Sequence, residues 1–143
     1  DYVLHLYGQG ELEQDLRELA EKLNIKESVI FEGFHENILN EIKDAGMYVL
    51  SSDYEGISNS LLEAMAMGVP TIATDCPIGG AKAVIQNGKN GILVPVGDVK
   101  HMAVAIEKLL SNPEECKELS TEAKKVRVNM SIQKVCDDWI KLL

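Results

Sequence analysis

The sequence has 143 residues, of which 45% are apolar and 26% are charged, and it carries a net charge of −9 at pH 7. These values are typical of one globular domain, and no apolar run approaches the ~18 residues that suggest a membrane span. The negative charge argues against a general affinity for nucleic acid or for an anionic membrane, since both attract basic surfaces. The three widely spaced cysteines argue against a disulfide framework or a zinc site and favour a reducing, cytoplasmic location.

Five short apolar runs alternate with amphipathic segments along the chain. The runs cover residues 2–7, 29–31, 47–50, 71–73 and 92–94. This alternation predicts an α/β fold, a Rossmann-like parallel sheet with helices on both faces. No repeat, low-complexity tract or Pro-rich linker divides the sequence, so we expect one domain over residues 1–143.

Three helices are predicted between these strands. The first carries an apolar stripe formed by Leu12, Leu16, Leu19 and Leu23. The second covers residues 35–45, and its inward-facing residues are expected to be Ile38, Leu39 and Ile42. The third covers residues 61–67 and ends at Gly68, with Pro70 just beyond, which is a common way for a helix to end.

Beyond Gly97 the pattern is wholly helical. The residues placed to cap helix N-termini are Asp98, Asn112 and Ser131. Pro113 stands at a first helical position, where proline is well tolerated. We expect these helices to serve packing and not chemistry, because each carries an apolar stripe. The stripes are Met102, Ile106 and Leu109; Cys116, Leu119, Ala123 and Val126; and Ile132, Val135, Trp139 and Ile140.

Two glutamates with seven residues between them mark the middle of the sequence. Glu55 lies beside Gly56, just after the predicted strand 47–50, and is therefore on a loop. Glu63 follows Ser60 by three positions, the spacing of a capping box in the first turn of a helix. Glu63 is thus open to two interpretations, a helix cap and a ligand contact, and the two need not exclude each other.

The segment between the glutamates is suited to binding an anion. Ligands of open α/β sheets bind at the carboxyl ends of the strands, where the loops after residues 50 and 74 are expected to meet. The second loop, 75–80, contains a proline and paired glycines that let backbone approach a ligand. The first offers a flexible glycine, side-chain donors and the N–H groups of a helix start, which is a ready anion site. It consists of Gly56, Ile57, Ser58, Asn59 and Ser60.

Carboxylates beside a phosphate site repel the phosphates, so their natural partners are the vicinal hydroxyls of a ribose or a hexose. In this interpretation Glu63 takes the ribose hydroxyls and Glu55 the sugar. The expected ligand is therefore a sugar nucleotide. The sequence has no Asp-x-Asp motif of the metal-dependent type, and no metal or other cofactor is expected.

These motifs resemble the donor-binding domain of retaining glycosyltransferases of the GT-B fold, family 4. The resemblance is carried by residues 54–75, by Gly79 and Gly80, and by the run 90–98. Segment 29–34 and the turn 8–10 match the same family, so the resemblance covers essentially the whole chain.

The resemblance implies specific roles for the site residues. Glu55 would contact the donor hexose and be the catalytic residue. Residues 58–60 would contact the hexose and diphosphate, and Glu63 the ribose. Gly33 and Phe34 would hold the base, mainly through backbone. The family normally has a Gly-Arg strand end and a following Lys that grip the diphosphate, and this sequence is expected to start after them. Another departure is Ala83, which stands where a Glu is common.

The expected function is that of the donor-binding, C-terminal half of a two-domain retaining glycosyltransferase. It would transfer a hexose from a nucleotide-diphosphate sugar, with UDP favoured, to a glycan or lipid-linked acceptor in cell-surface polysaccharide synthesis. Its partner would be an N-terminal acceptor-binding domain of the same chain, without which the fragment is expected to be inactive. Membrane association would be indirect. The alternatives are a sugar-nucleotide-binding module without catalysis and a nucleotide-sugar epimerase of similar fold.

Overall fold

A computed structural model describes residues 2–142. The chain divides into two compact units, one up to Ile38 and one from Leu39 onward. Each unit is built on parallel strands, which confirms the predicted α/β class. The expectation of a single domain over residues 1–143 stays a prediction. Within the described residues no helix combines the length and the apolar character that a membrane crossing requires.

The first unit is a two-stranded parallel sheet with a connecting helix. Strand β1 (Leu4–Tyr7) pairs with β2 (Val29–Gly33), and α1 (Glu13–Lys22) lies between them in sequence. These elements confirm the predictions for this part of the chain. The leucine stripe of α1 remains about half exposed, with Leu16 at 45% and Leu19 at 49%. Two strands form too narrow a sheet to cover a helix face completely.

The second unit is a three-stranded parallel sheet in the order β3, β4, β5. These strands span Tyr48–Leu50, Thr71–Thr74 and Ile92–Val94, as the sequence predicts. The central strand β4 is buried along its whole length. Successive residues of a strand point to opposite faces, and accordingly Ala73 packs in one apolar cluster and Ile72 in another. The second unit therefore has helices on both faces of its sheet.

Further helices follow α2 (Ile38–Ile42) in the described chain. They are α3 (Asn59–Met67), α4 (Gly80–Val84), α5 (Val99–Ser111), α6 (Pro113–Ala123), α7 (Val126–Asn129) and α8 (Ile132–Ile140). Gly68 ends α3 in the left-handed region, with φ 79°, a conformation that glycine adopts without a steric cost. The short helix α4 begins at the second of the paired glycines, with Gly79 as its N-cap, and is not predicted from the sequence.

The helix α2 is shorter than the predicted segment 35–45. Ile42 is buried, whereas Leu39 is 39% exposed, so the expectation that Leu39 points inward is wrong. Ile38 and Ile42 are four residues apart and share one face of the helix. Leu39 lies about 100° around the helix from Ile38, and a helix of little more than one turn buries only one face.

The predicted N-caps of the C-terminal helices are confirmed. The side chains of Asp98, Asn112 and Ser131 each accept a hydrogen bond from a backbone N–H three residues later. Pro113 is the first residue of α6. Each cap satisfies a backbone donor that the helix itself leaves unpaired.

The apolar stripe of α8 is not packed. This helix contains no buried residue, and Ile132, Trp139 and Ile140 are 85%, 68% and 66% exposed. The expectation that this stripe serves packing is therefore wrong for the described residues. Helical periodicity fixes which residues share a face, but not whether another element covers that face.

We expect the cap of α5 to make the stability of the protein depend on pH in the acid range. The backbone N–H of His101, and then its side chain, donate to the Asp98 carboxylate and lower its pKa below the ordinary value of 3.8. The stabilisation by the charged cap is complete above that ordinary value and is lost as the pH falls through the lowered pKa. Urea unfolding between pH 7 and 3 should show a steeper loss below pH ~4 in the parent than in Asp98→Asn, which keeps an acceptor but no charge. Parallel stability curves for the two proteins would contradict this account.

Candidate functional site

The carboxyl ends of β3 and β4 are tied together by a buried threonine. Thr74, the last residue of β4, is 4% exposed. Its hydroxyl donates to the carbonyl oxygen of Ser52 at 2.5 Å and lies 3.4 Å from that of Leu50. The start of the loop after β3 is thereby fixed to the end of the neighbouring strand.

The two loops also meet further on, at Gly80. A Cβ built on Gly80 would lie 1.8 Å from the carbonyl oxygen of Gly56 and 2.5 Å from the amide nitrogen of Ile57. Only a residue without a side chain fits here, because both neighbouring atoms are backbone. The prediction that the two sequence motifs meet at the sheet edge is confirmed.

The helix α3 begins two residues earlier than predicted. Ser58 is its N-cap, but no side chain caps the helix. Ser60 lies inside the first turn, and Glu63 is the fifth helical residue, in the second turn. The capping-box interpretation of Glu63 is therefore wrong, since its partner Ser60 is not at the N-cap position. The first N–H groups of α3 are left without a side-chain acceptor, as an anion site requires.

Neither glutamate of the pair is engaged by the protein itself. Glu55 and Glu63 are both half-buried, and across residues 2–142 neither accepts a hydrogen bond or forms an ion pair. Both act electrostatically on the hydroxyl of Tyr48. Burial, and then the charges of Glu63 and Glu55, raise the pKa of Tyr48, while its hydrogen bond to Ser60 lowers it. The charges of both carboxylates therefore reach the Tyr48 hydroxyl.

A chain of hydroxyls joins the sheet to the start of α3. The Tyr48 hydroxyl donates to Ser60 Oγ at 2.7 Å, and Ser60 Oγ lies 2.9 Å from Ser58 Oγ. Sequence reasoning assigned the serines to the site but treated Tyr48 only as a strand residue. A tyrosine in an otherwise apolar strand is a sequence signal for such a polar contact, because a buried phenol normally finds a hydrogen-bond partner.

The loop after β4 contains a backbone conformation that is rare for its residue type. Ile78 has φ 73° and its side chain is 69% exposed. A β-branched residue in this region costs about 1–3 kcal/mol and persists only where the surroundings impose it. Lys82, which precedes Ala83, forms an ion pair with Asp75 at 2.8 Å. Its charge is thus directed at a protein carboxylate.

The remaining predicted site residues fall in two places. In the second unit Ile57 and Asn59 are exposed and Gly56 is half-buried, all next to the start of α3. Gly33 and Phe34 belong to the first unit, where Gly33 ends β2 with φ 74° and Phe34 is 71% exposed. Their contact with a base stays a prediction.

Acidic residues also line a hollow elsewhere on the second unit. A hollow of about 720 Å³ lies between the turn at Gly88 and the helix α6, and none of the predicted site residues lines it. Its carboxylates and lysines are those of a solvated helix face. Among the described residues no group of three or more His, Cys, Asp or Glu could hold a metal ion.

Comparison with known protein families gives one match over most of the chain. The family described as glycosyl transferases group 1 matches residues 1–126. Among similar proteins, EpsD of Bacillus subtilis is 39% identical over 124 residues, which are 87% of this chain and 32% of EpsD. LpsE of Rhizobium meliloti, a lipopolysaccharide core biosynthesis glycosyltransferase, is 31% identical over 76% of this chain and 32% of its own length.

A solved structure shows the same fold. A point mutant of Staphylococcus aureus TarM, in complex with fondaparinux, α-GlcNAc-glycerol and UDP, superposes with a TM-score of 0.89 at 26% identity. The match covers 98% of this chain and 28% of that one. The likeness confirms the predicted fold class, a Rossmann-like domain of the kind found in the C-terminal half of GT-B proteins. The chain spans 40% or less of the length of the first relatives it matches.

Proposed function

Since this chain belongs to the glycosyl transferases group 1 family, we propose that its second unit binds the nucleotide-diphosphate sugar donor of a glycosyltransferase. The observation that carries the proposal is the pair of half-buried carboxylates, Glu55 and Glu63, which have no hydrogen-bond or ion-pair partner in the described chain. They flank a helix start whose N–H groups no side chain caps.

The chemistry of this arrangement fits a ligand with both phosphates and hydroxyls. Uncapped N–H groups at the start of α3 favour an anion, and a diphosphate is such an anion. The carboxylates are acceptors only and repel phosphate, so they select hydroxyl donors. A sugar nucleotide offers one diphosphate between two sets of hydroxyls, on the ribose and on the sugar.

The proposed roles follow from this matching. Residues 58–60 hold the diphosphate and part of the hexose through backbone N–H groups and the serine hydroxyls. Glu63 accepts from the ribose hydroxyls, and Glu55 accepts from the hexose and is the residue assigned to catalysis. Uridine is favoured, and the UDP bound by the similar TarM structure supports this choice.

In the complete protein we propose retaining transfer of a hexose, of the family 4 type. An N-terminal domain would bind a glycan or lipid-linked acceptor of cell-surface polysaccharide synthesis, at the cytoplasmic side of the membrane. No side chain of the site is an obvious nucleophile, and catalysis would be positioning of the sugar and stabilisation of the leaving diphosphate. The names of relatives such as LpsE support this biosynthetic setting.

Calorimetric titration of the chain with UDP, GDP and ADP tests the proposal. We expect selective binding of UDP. In Glu63→Ala the affinity for UDP should fall at least about tenfold, because hydrogen bonds to a charged group contribute ~1.5–3 kcal/mol. The matched control is Glu107→Ala, which removes an exposed glutamate on α5 and should bind UDP like the parent.

A ligand variant makes the same test specific for the ribose. 2′-Deoxy-UDP lacks one of the hydroxyls that Glu63 is proposed to accept from, so it should bind the parent more weakly than UDP does. In Glu63→Ala the two ligands should bind equally, because the partner of the hydroxyl is gone. Absence of nucleotide binding by a chain whose circular dichroism shows it to be folded would overturn the proposed function.

A further inference from the structure

The hydroxyl chain from Tyr48 to Ser58 ends at the proposed diphosphate site. Tyr48 stands on β3 and packs against the apolar cluster that contains Leu61 and Met65. Its hydroxyl reaches the first turn of α3, where it donates to Ser60 Oγ. Ser60 is in turn within hydrogen-bond distance of Ser58, the N-cap residue.

The protons available on these three hydroxyls set the direction in which hydrogen bonds are donated from one to the next. A phenol has one proton, and the one on Tyr48 is donated to Ser60. Ser60 is then free to donate its own proton to Ser58, and Ser58 to donate outward. In the opposite arrangement Ser58 donates its proton to Ser60. The Ser58 hydroxyl then presents only lone pairs to an incoming phosphate, because its one proton is already used. Aligned hydroxyls polarise one another, which favours the first arrangement.

We propose that Tyr48 is a positioning residue that orients the Ser60 and Ser58 hydroxyls so that Ser58 donates to the diphosphate of the bound nucleotide. The proposal rests on the proposed function and adds to it a residue that does not itself touch the ligand. The raised pKa of Tyr48 is consistent with this role, because the phenol keeps its proton throughout the neutral range.

The variant Tyr48→Phe tests the proposal, since it removes the hydroxyl and keeps the ring in the core. The probes are UDP and uridine, measured by calorimetry on the full 143-residue chain. We expect UDP to bind about threefold to tenfold more weakly than in the parent, the loss of one net hydrogen bond. Uridine, which has no phosphate, should bind the parent and the variant equally. The control Tyr2→Phe removes the hydroxyl of a tyrosine that is 68% exposed and should change neither affinity.

A double-mutant cycle tests whether Tyr48 acts through Ser58. If it does, Ser58→Ala should weaken UDP binding, and adding Tyr48→Phe to that variant should weaken it no further. Thermal unfolding of each variant, compared with the parent, gives the change in stability separately from the change in affinity.

The outcomes separate this proposal from the proposed function. UDP binding by the parent that is unchanged in Tyr48→Phe would overturn the role of Tyr48 and leave the donor site standing. Equal losses of affinity for UDP and for uridine, or additive losses in the cycle, would overturn the role of Tyr48 as well. A general structural effect would then be enough to explain the weaker binding. A parent chain that binds no nucleoside diphosphate would overturn both.

Discussion

Gly80→Ala should lower the free energy of unfolding of the second unit by about 2–3 kcal/mol, the upper range for overpacking a close contact. The new methyl group would stand 1.8 Å from the carbonyl oxygen of Gly56 and 2.1 Å from its carbonyl carbon. These are backbone atoms, which cannot rotate away as the end of a side chain can. The loop that carries Glu55 must therefore move, and we expect the variant to lose nucleotide binding together with stability.

The matched control for this prediction is Gly46→Ala. Gly46 also belongs to the second unit, has no positive φ, and a Cβ there would meet no atom within 4 Å. Urea unfolding of the control should show unchanged or slightly higher stability, because alanine restricts the unfolded chain. Equal unfolding free energies of Gly80→Ala and the parent would mean that the two loops are not in the contact described.

Leu61→Ala should destabilise the protein by about 3 kcal/mol, within the ~2–5 kcal/mol range for truncating a buried leucine. Leu61 is 0% exposed and lies in the first turn of α3, in the cluster that contains Met65 and Ala73. The loss combines less apolar burial with a cavity beneath the helix. Because the same helix carries Ser60 and Glu63, nucleotide affinity should fall too.

Urea unfolding followed by circular dichroism measures this effect. Leu142→Ala is the control, since Leu142 is 79% exposed and a surface truncation usually changes stability by less than ~0.5 kcal/mol. A Leu61→Ala variant as stable as the Leu142→Ala variant would contradict the placement of α3 against the sheet.

The start of α3 shows where sequence reasoning reaches its limit. Ser58, Asn59 and Ser60 are each good N-cap residues, and local spacing with Glu63 favoured Ser60. In the structure the Ser60 hydroxyl is bound by Tyr48 and Ser58 instead. Tyr48 is twelve positions away along the chain, so the competition between these partners cannot be read from neighbouring residues.

The helix α8 shows a similar limit for packing. Its periodic stripe correctly predicts a helix from Ile132 to Ile140, and Ser131 caps it as expected. The exposure of Trp139 could not be predicted, because periodicity describes one element and burial needs a second.

The sequence alone is enough to predict the strands, the capped C-terminal helices, the glutamate pair and the meeting of two loops at the sheet edge. These depend on signals within a few residues, or on the rule that parallel strands place their carboxyl ends together. Three features become visible only in the folded chain: Glu63 is not a cap, Gly80 lies against Gly56, and Tyr48 is hydrogen-bonded to Ser60. Each of these features depends on contacts between residues that are far apart along the chain. The packing of the fold decides which of those residues come into contact.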